Sequence, residues 1–256
     1  MRLDVALVPA LLADLSRRVC IVVDVLRASS TIVTMLERGV QEVLLAPTIA
    51  EARRLHQELP GYLLCGEEGG LPPPGFDYGN SPSEFGALDL KDQRAILCTS
   101  NGTRAILAAA EAPLVLVGCL LNATAVASAA WREAAKQGLG IAVVCAGEEG
   151  GNTFAAEDAL GAGAIVDAVV DPSRRWPTVL ELTDEARAAL EDYRAQRGRE
   201  ETALQETAHG RDLLALGLGQ DLAFCARRDR FAALPRLQRD EEQRLVLRAY
   251  SSGSSG

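Results

Sequence analysis

The sequence predicts a three-layer α/β/α fold around a mostly parallel sheet, with some mixed pairing open. Two observations lead there. Short β-branched runs recur at residues 19–24, 40–46, 62–65, 94–98, 114–117 and 140–145, and most are followed by a Gly, Asn, Ser, Asp or Thr stop and then a helical stretch. Strands alternating with helices at this spacing build a layered, largely parallel sheet. In addition, hydrophobic residues make up 48% of the 256-residue chain while aromatics make up only 4%. The core must therefore be assembled from Ala, Leu and Val, at a length sufficient for a sizeable interior. We expect a single domain over residues 1–250, with 171–210 a peripheral helical segment and the Ser/Gly run 251–256 a flexible tail.

Taken in order, residues 1–8 alternate in part and read as a first strand, and 19–24 as a buried one. A helix then opens after Asp24, runs toward Arg38 and stops at Gly39. Residues 40–46 are a strand; Thr48 caps the next helix and Pro60-Gly61 ends it. Strand 62–65 feeds a long loop. Strand 94–98 leads through Asn101-Gly102-Thr103 into an Ala-rich helix to Glu111. Strand 114–117 leads to a helix from Asn122 to Gln137, and strand 140–145 to a Gly-rich turn and a helix through Asp167. A helix within 213–226 and a strand at 244–248 close the chain.

The stretch 65–85 is too rich in Gly and Pro for helix or strand, and structureless loops of this length are usually functional or disordered. It carries Glu67, Glu68, Asp77 and Glu84 with Asn80 and Ser81 between them. It reads either as an active-site loop holding a hard cation or as a solvated excursion. A second Gly-Glu-Glu-Gly-Gly run, 147–151, matches 66–70; we read the pair as loops of similar chemistry at adjacent strand ends. Because ligands of such sheets bind beyond the carboxyl ends of the strands, Asp24, Glu67, Asn101 and Glu148 should converge on one edge.

Charge narrows the partners. The formal net charge is −9, with 26 Lys and Arg against 35 acids, which argues against a nucleic-acid backbone as ligand. A small anionic molecule remains compatible through local Arg side chains, helix N-termini or a metal. Residues 1–25 carry Asp4, Asp14 and Arg17-Arg18 and do not read as a leader, and no apolar run reaches membrane-spanning length. The six cysteines lack any Cys-x-x-Cys pair, so we expect neither zinc ribbon nor disulfide framework, and a cytoplasmic location. Ala-rich helical surface is compatible with a homodimer.

Several residues are suited to chemistry. Gly102 allows close backbone approach, and the amides of the helix behind it would cradle an anion; an ordinary Asn-capped turn is the other reading. Arg27 is placed to fork onto a phosphate or sulfonate, or to make a surface ion pair. Carboxylates with Asn oxygens are a Mg²⁺ ligand set. The two histidines, His56 and His209, are not spaced for a metal motif. Glu157-Asp158 reads as a first-turn charged pair or as ligands. Cys98 and Arg104 fit the Cys-x₅-Arg spacing of thiolate phosphatases; a buried structural cysteine is the other reading.

With these residues assembled, the chain resembles the 2-phosphosulfolactate phosphatase family of the coenzyme M pathway. The resemblance runs through Val23-Asp-Val-Leu-Arg-Ala-Ser-Ser-Thr-Ile32, Gly66-Glu67, Gly75-Phe-Asp-Tyr-Gly-Asn-Ser-Pro82 with Glu84, and Thr99-Ser-Asn-Gly-Thr103. It continues in Cys145-Ala-Gly147, Glu157-Asp158, Gly210-Arg-Asp-Leu-Leu, Gly217 and Asp221-Leu-Ala-Phe-Cys225. The family's Gly-Glu-Arg-x-Gly form reads Gly66-Glu67-Glu68-Gly69 here, so one cation is lost. The resemblance implies a Mg²⁺-dependent phosphatase acting on a three-carbon 2-phospho acid bearing sulfonate and carboxylate groups. On that basis Asp24, Glu67 and Asp77 are the expected catalytic metal holders, with Glu84 a further ligand. The ion would neutralise phosphoryl oxygens and orient or deprotonate the attacking water. Asn101, Gly102 and Thr103 would cradle one anionic group, Arg27 would clamp another, and Asn80 and Ser81 would complete the substrate site. A phospho-metabolite-binding protein without turnover is the reading from another class.

Overall fold

The computed structural model describes residues 1–11, 14–174 and 179–250. The terminal run 251–256 lies outside the described residues. The first half of the chain supplies β1 (Arg2–Ala6), β2 (Arg18–Val23), α1 (Ala28–Glu37), β3 (Glu42–Leu45), α2 (Ile49–Glu58) and β4 (Leu63–Gly66). It continues with α3 (Pro82–Ala87), β5 (Arg94–Cys98), α4 (Gly102–Ala108), β6 (Leu114–Gly118) and α5 (Ala123–Gln137). The second half adds β7 (Gly140–Cys145), α6 (Ala156–Val169), β8 (Glu181–Leu182), α7 (Asp184–Gln196) and α8 (Glu200–Glu206). Helices α9 (Ala208–Ala215) and α10 (Gly219–Cys225) and strands β9 (Pro235–Arg239) and β10 (Leu245–Ala249) close it. The expected α/β fold is the one observed, and the sheet is mixed.

Among the described residues the strands run in the order β4-β5-β3-β10-β9-β6-β2-β7-β1-β8. Two parallel blocks, β4-β5-β3 and β6-β2-β7-β1-β8, are joined by the antiparallel hairpin of β9 and β10. The loops after β4 and β7 therefore do not follow neighbouring strands, which corrects the expected adjacency of the two Gly-Glu-Glu-Gly-Gly runs. Register does the positioning. Val23 pairs with both Gly118 and Cys145, so Asp24, Cys119 and Ala146 leave the sheet at one level. Gly66 pairs with Cys98, which levels Glu67 with Thr99.

Alternation along the strands separates the faces. Val19, Ile21 and Val23 of β2, with Ile141, Val143 and Cys145 of β7, pack under α5, α6 and α7. Cys20 and Val22 face the opposite way, into a second core that also holds Val43 and Leu45 of β3 and Ala95 and Leu97 of β5. Both blocks thus contribute to one interior. Helix α1 lies in it and is buried continuously from Ala28 to Leu36. Burying Ile32 and Met35 completely contributes about 1.5–3 kcal/mol each. The four hydroxyls of this helix are bonded inside it or to its neighbours: Ser30 Oγ donates to Val25 O (2.8 Å), Thr34 Oγ1 to Ser30 O (2.7 Å) and Thr31 Oγ1 to Asn80 O (3.2 Å), while Ser29 Oγ accepts from Asp24 N–H (2.9 Å). A Ser/Thr-rich helix can be buried only on that condition.

The segment expected to be peripheral is partly integral. Strand β8 extends the sheet beside β1, and α7 buries Ala186, Ala189, Leu190 and Tyr193. The close packing of α7 on α6 needs Gly163, where an added Cβ would stand 2.1 Å from Ala189 O. Among the described residues no helix is long and apolar enough to cross a membrane.

The joint between β3 and β10 is made by a buried carboxylate. Glu42 accepts from the Tyr62 hydroxyl and from Arg248 Nε (2.8 Å). Burial alone would raise its pKa, but the Tyr62 and Arg248 hydrogen bonds outweigh it and hold the group below the ordinary 4.5. A depressed carboxylate stabilises the fold above its unfolded value, and the effect is lost as the pH falls through the folded one. Glu42→Gln should cost about 1–3 kcal/mol at pH 7. In urea unfolding the gap to wild type should narrow as the pH drops below 4.5.

Candidate active site

The strand ends of the two blocks meet where α4 begins. Asp24, just past β2, is 7% exposed, and its Oδ1 accepts from Ala28 N–H (3.1 Å), so the acid caps α1 from a position four residues before Ala28. Its Oδ2 faces Gly102: a Cβ added there would stand 2.5 Å from Oδ2 and 2.4 Å from the Ala28 Cβ. Only glycine permits that approach. The expected anion cradle at 101–103 is thus built differently. Thr103 is engaged with Thr99, its N–H donating to Thr99 Oγ1 (3.0 Å) while its own Oγ1 accepts from Thr99 N–H (2.8 Å). Asn101 Oδ1 accepts from Gly150 N–H (2.8 Å), tying the second Gly-Glu-Glu-Gly-Gly loop to the first turn of α4.

Around Asp24 the structure gathers acids. Asp158, at the start of α6, is 2% exposed and accepts with both oxygens, from Val25 N–H (2.9 Å) and Gly147 N–H (3.0 Å). Glu157 beside it is equally buried, and its Oε1 lies 3.4 Å from His209 Nδ1 on α9. Glu148 completes a triad with Glu157 and His209, whose ligand-capable atoms all lie within 4.8 Å of one another. Glu67, past β4, accepts from Ser100 N–H (2.7 Å) and Gly70 N–H (3.0 Å). Glu67, Ser100, Asn101, His209, Asp212 and Leu213 help to line a cleft of about 480 Å³.

The electrostatics follow from burying like charges together. Asp24 is pushed up to about 6, first by burial, with Glu67 and Glu157 adding and His209 and the Ala28 amide opposing. Burial, then Asp24 and Glu157, drive Asp158 well above the carboxylate range. Glu148 is raised by burial and then by Glu157. Burial would lower His209, yet its hydrogen bond to Glu157 and the charges of Glu157, Asp24 and Glu148 leave it above the ordinary imidazole value.

Of the expected site residues, Asp24, Glu67, Asn101 and Gly102 come together; Thr103 is turned to Thr99, and five others do not join them. Asp77 is exposed, and its Oδ2 accepts from Leu64 N–H (2.8 Å), closing the edge of β4. Glu84 is an exposed first-turn residue of α3, where its N–H donates to the capping Ser81 Oγ (3.2 Å). Arg27 is no free clamp. It is 3% exposed, with NH1 on Asp221 Oδ2 (2.8 Å) and NH2 on Gly70 O (2.6 Å). Ser81 Oγ donates to Asp221 Oδ1 (2.6 Å). Asn80 is buried, with its carbonyl held by Thr31 and its Oδ1 without a hydrogen-bond partner.

Cys98 does not suit thiolate chemistry. It is 4% exposed, and its thiol is pushed up to about 11, chiefly by burial and then by Glu67, with Arg104 offsetting only part. Arg104 itself is exposed and reaches instead toward Gly150. The residues that sequence reasoning passed over are His209, set aside for its spacing, and Asp221. Their signal was the ordered pair of runs at 210–214 and 221–225, which no local pattern connects to Asp24.

An α/β enzyme with buried acids at the carboxyl ends of its strands is the class that this fold and cleft define. A family model described as 2-phosphosulpholactate phosphatase matches residues 7–240. The chain is 38% identical over 220 residues to a probable 2-phosphosulfolactate phosphatase of Pseudothermotoga lettingae, covering 86% of this chain and 89% of that one. Similarly named proteins of Deinococcus radiodurans (38% identity; 86% and 87% coverage) and Carboxydothermus hydrogenoformans (33%; 92% of each chain) also match. The chain belongs to the 2-phosphosulfolactate phosphatase family and is a phosphoric monoester hydrolase.

One consequence is a trade of stability for function. A carboxylate whose folded pKa is raised opposes folding once the pH exceeds its unfolded value, and the penalty is absent below it. Asp24→Asn should therefore stabilise the metal-free protein by about 1–3 kcal/mol at pH 8. The gain should vanish near pH 4, as a pair of thermal melts will show.

Proposed function

We propose that the protein is a Mg²⁺-dependent phosphatase that hydrolyses a small 2-phospho acid of the 2-phosphosulfolactate type, releasing sulfolactate and phosphate. The observation that carries this is the acid cluster itself. Asp24, Glu157, Asp158 and Glu148 are gathered together, and His209 is the basic group that faces Asp24, Glu157 and Glu148, while Arg27 is committed to Asp221. Buried like charges without compensation are costly, and a divalent cation would relieve them. The donor set fits: carboxylate oxygens suit Mg²⁺. Glu148, Glu157 and Asp24 would hold the ion, with Glu67 facing the same cleft. Asp77 is bonded to the Leu64 amide and Glu84 is an exposed residue of α3, and neither is included.

When bound, the ion would supply charge neutralisation at the phosphoryl oxygens and a water of lowered pKa. The chain's own residues do the rest. Asn101, with its Oδ1 held by Gly150, has its amide NH₂ left to offer a substrate oxygen in the cleft. His209 lines the cleft and is kept basic by Glu157. It would give a proton to the bridging ester oxygen as the bond between that oxygen and phosphorus breaks, while water supplies the hydroxyl retained by phosphate. Asp158 acts behind them, holding the Val25 and Gly147 amides and so the two loops that flank Asp24.

A multiple-turnover phosphate-release assay over a series of 2-phospho acids, with Mg²⁺ or with EDTA, tests the reading. Turnover should disappear with EDTA and return with Mg²⁺. Glu157→Gln should lower kcat/KM by about 10–100-fold or more, and His209→Gln by about 10²–10⁴-fold. Cys98→Ser should stay close to wild type. Metal-independent turnover that Cys98→Ser abolishes would sink this mechanism.

A further inference from the structure

A residue with a dense set of polar contacts near the site is not among its expected members. Asp221 on α10 is 1% exposed. Its Oδ1 accepts from Ser81 Oγ (2.6 Å), Ser83 Oγ (2.6 Å) and Ser83 N–H (3.2 Å), and its Oδ2 from Arg27 NH1 (2.8 Å). Ser81 and Ser83 stand at the far end of the long Gly/Pro loop, where α3 begins. Arg27 passes the connection to the near end through NH2 on Gly70 O (2.6 Å). A single carboxylate, supplied about 140 residues later in the chain, therefore fastens both ends of this loop.

The chain of contacts continues to the cleft. Gly70, whose carbonyl is held by Arg27, donates its N–H to Glu67 Oε2 (3.0 Å), and the other Glu67 oxygen accepts from Ser100 N–H (2.7 Å). The loop cannot shift freely toward α9 either: a Cβ on Gly70 would stand 2.8 Å from Leu216 Cδ1. Among the described residues the Glu67 carboxylate is held by these two backbone amides, and one of them is set by Arg27. We propose that Asp221 is a positioning residue for the hydrolytic reaction, acting on the Glu67 carboxylate through Arg27 and Gly70. The inference rests on the proposed function only in taking Glu67 as part of the working site. It gives a physical reason for an ion pair in the interior. A buried pair adds little net stability over apolar residues of similar volume, whereas a fixed geometry for a charged side chain requires directional bonds.

The test must separate positioning from folding. Asp221→Asn leaves the Arg27 charge uncompensated and can fail simply by destabilising the interior. The paired variant Arg27→Met with Asp221→Leu removes both charges; because Ser81, Ser83 and the Gly70 carbonyl lose partners it should melt below wild type but still fold cooperatively. In that variant the Gly70 and Ser100 amides should exchange hydrogen at least about tenfold faster than in wild type, while strand β2 amides stay protected. With a 2-phospho acid and Mg²⁺, kcat/KM should fall at least about tenfold, and adding Glu67→Gln should produce no further loss. Unchanged exchange at Gly70, or losses that multiply when Glu67→Gln is added, would overturn the proposal. The exchange measurement needs no turnover, so it stands even if the assay shows that the substrate reading is wrong. If Glu67→Gln alone leaves an active enzyme unimpaired, Asp221 does not act on catalysis through it and the proposal falls.

Discussion

The contact between Gly102 and the Asp24 carboxylate is the constraint on which the rest of the site depends. Strands β2 and β5, which lead to these residues, are separated in the sheet by β3, β10, β9 and β6. They meet at their ends because both blocks of the sheet turn one face toward the same core, with α1 enclosed between them. An added methyl at residue 102 would reach 2.5 Å from Asp24 Oδ2, so the approach tolerates no side chain. The antiparallel hairpin of β9 and β10 makes the arrangement continuous, and Glu42 locks that hairpin to β3 through Arg248.

Charge at the site is arranged against stability. A folded protein ordinarily disperses its acids in water, yet here Asp24, Glu157 and Asp158 lie within the protein at 2–7% exposure. Burial and mutual repulsion raise Asp24 and Asp158 together. Backbone amides at Ala28, Val25 and Gly147 and the His209 imidazole offset part of this cost. What remains is a preorganised negative pocket, the kind of environment that favours a cation and works where water is excluded.

Arg27 shows how one side chain can read plausibly and be wrong. Its position three residues after Asp24 suggested a phosphate clamp, and its burial on Asp221 makes it a strut. The same carboxylate takes Ser81, so two residues expected to touch substrate instead share an internal partner. The loop they brace keeps Glu67 in the cleft, while Asp77 bonds the edge of β4 and Glu84 stands exposed in the first turn of α3.

The α/β class, most strands and the placement of Asp24, Glu67, Asn101 and Glu148 past strand ends were legible from periodicity and stop residues alone. These are local signals, because a β-branched run and the Gly or Asn after it report on their own backbone. The ordered motifs likewise carried the family. Strand β9 was missed because its alternation, Pro235-Arg-Leu-Gln-Arg239, is short and half polar. The adjacency of the two Gly-Glu-Glu-Gly-Gly loops was misjudged because strand order is not written in strand sequence. Which acids face the cleft, and that His209 joins them from α9, was decided by packing between segments far apart in the chain. The sequence by itself determined which residues stand at the ends of strands; only the tertiary structure decided which of those ends meet, because burial and partnership depend on contacts that local chain preferences do not encode.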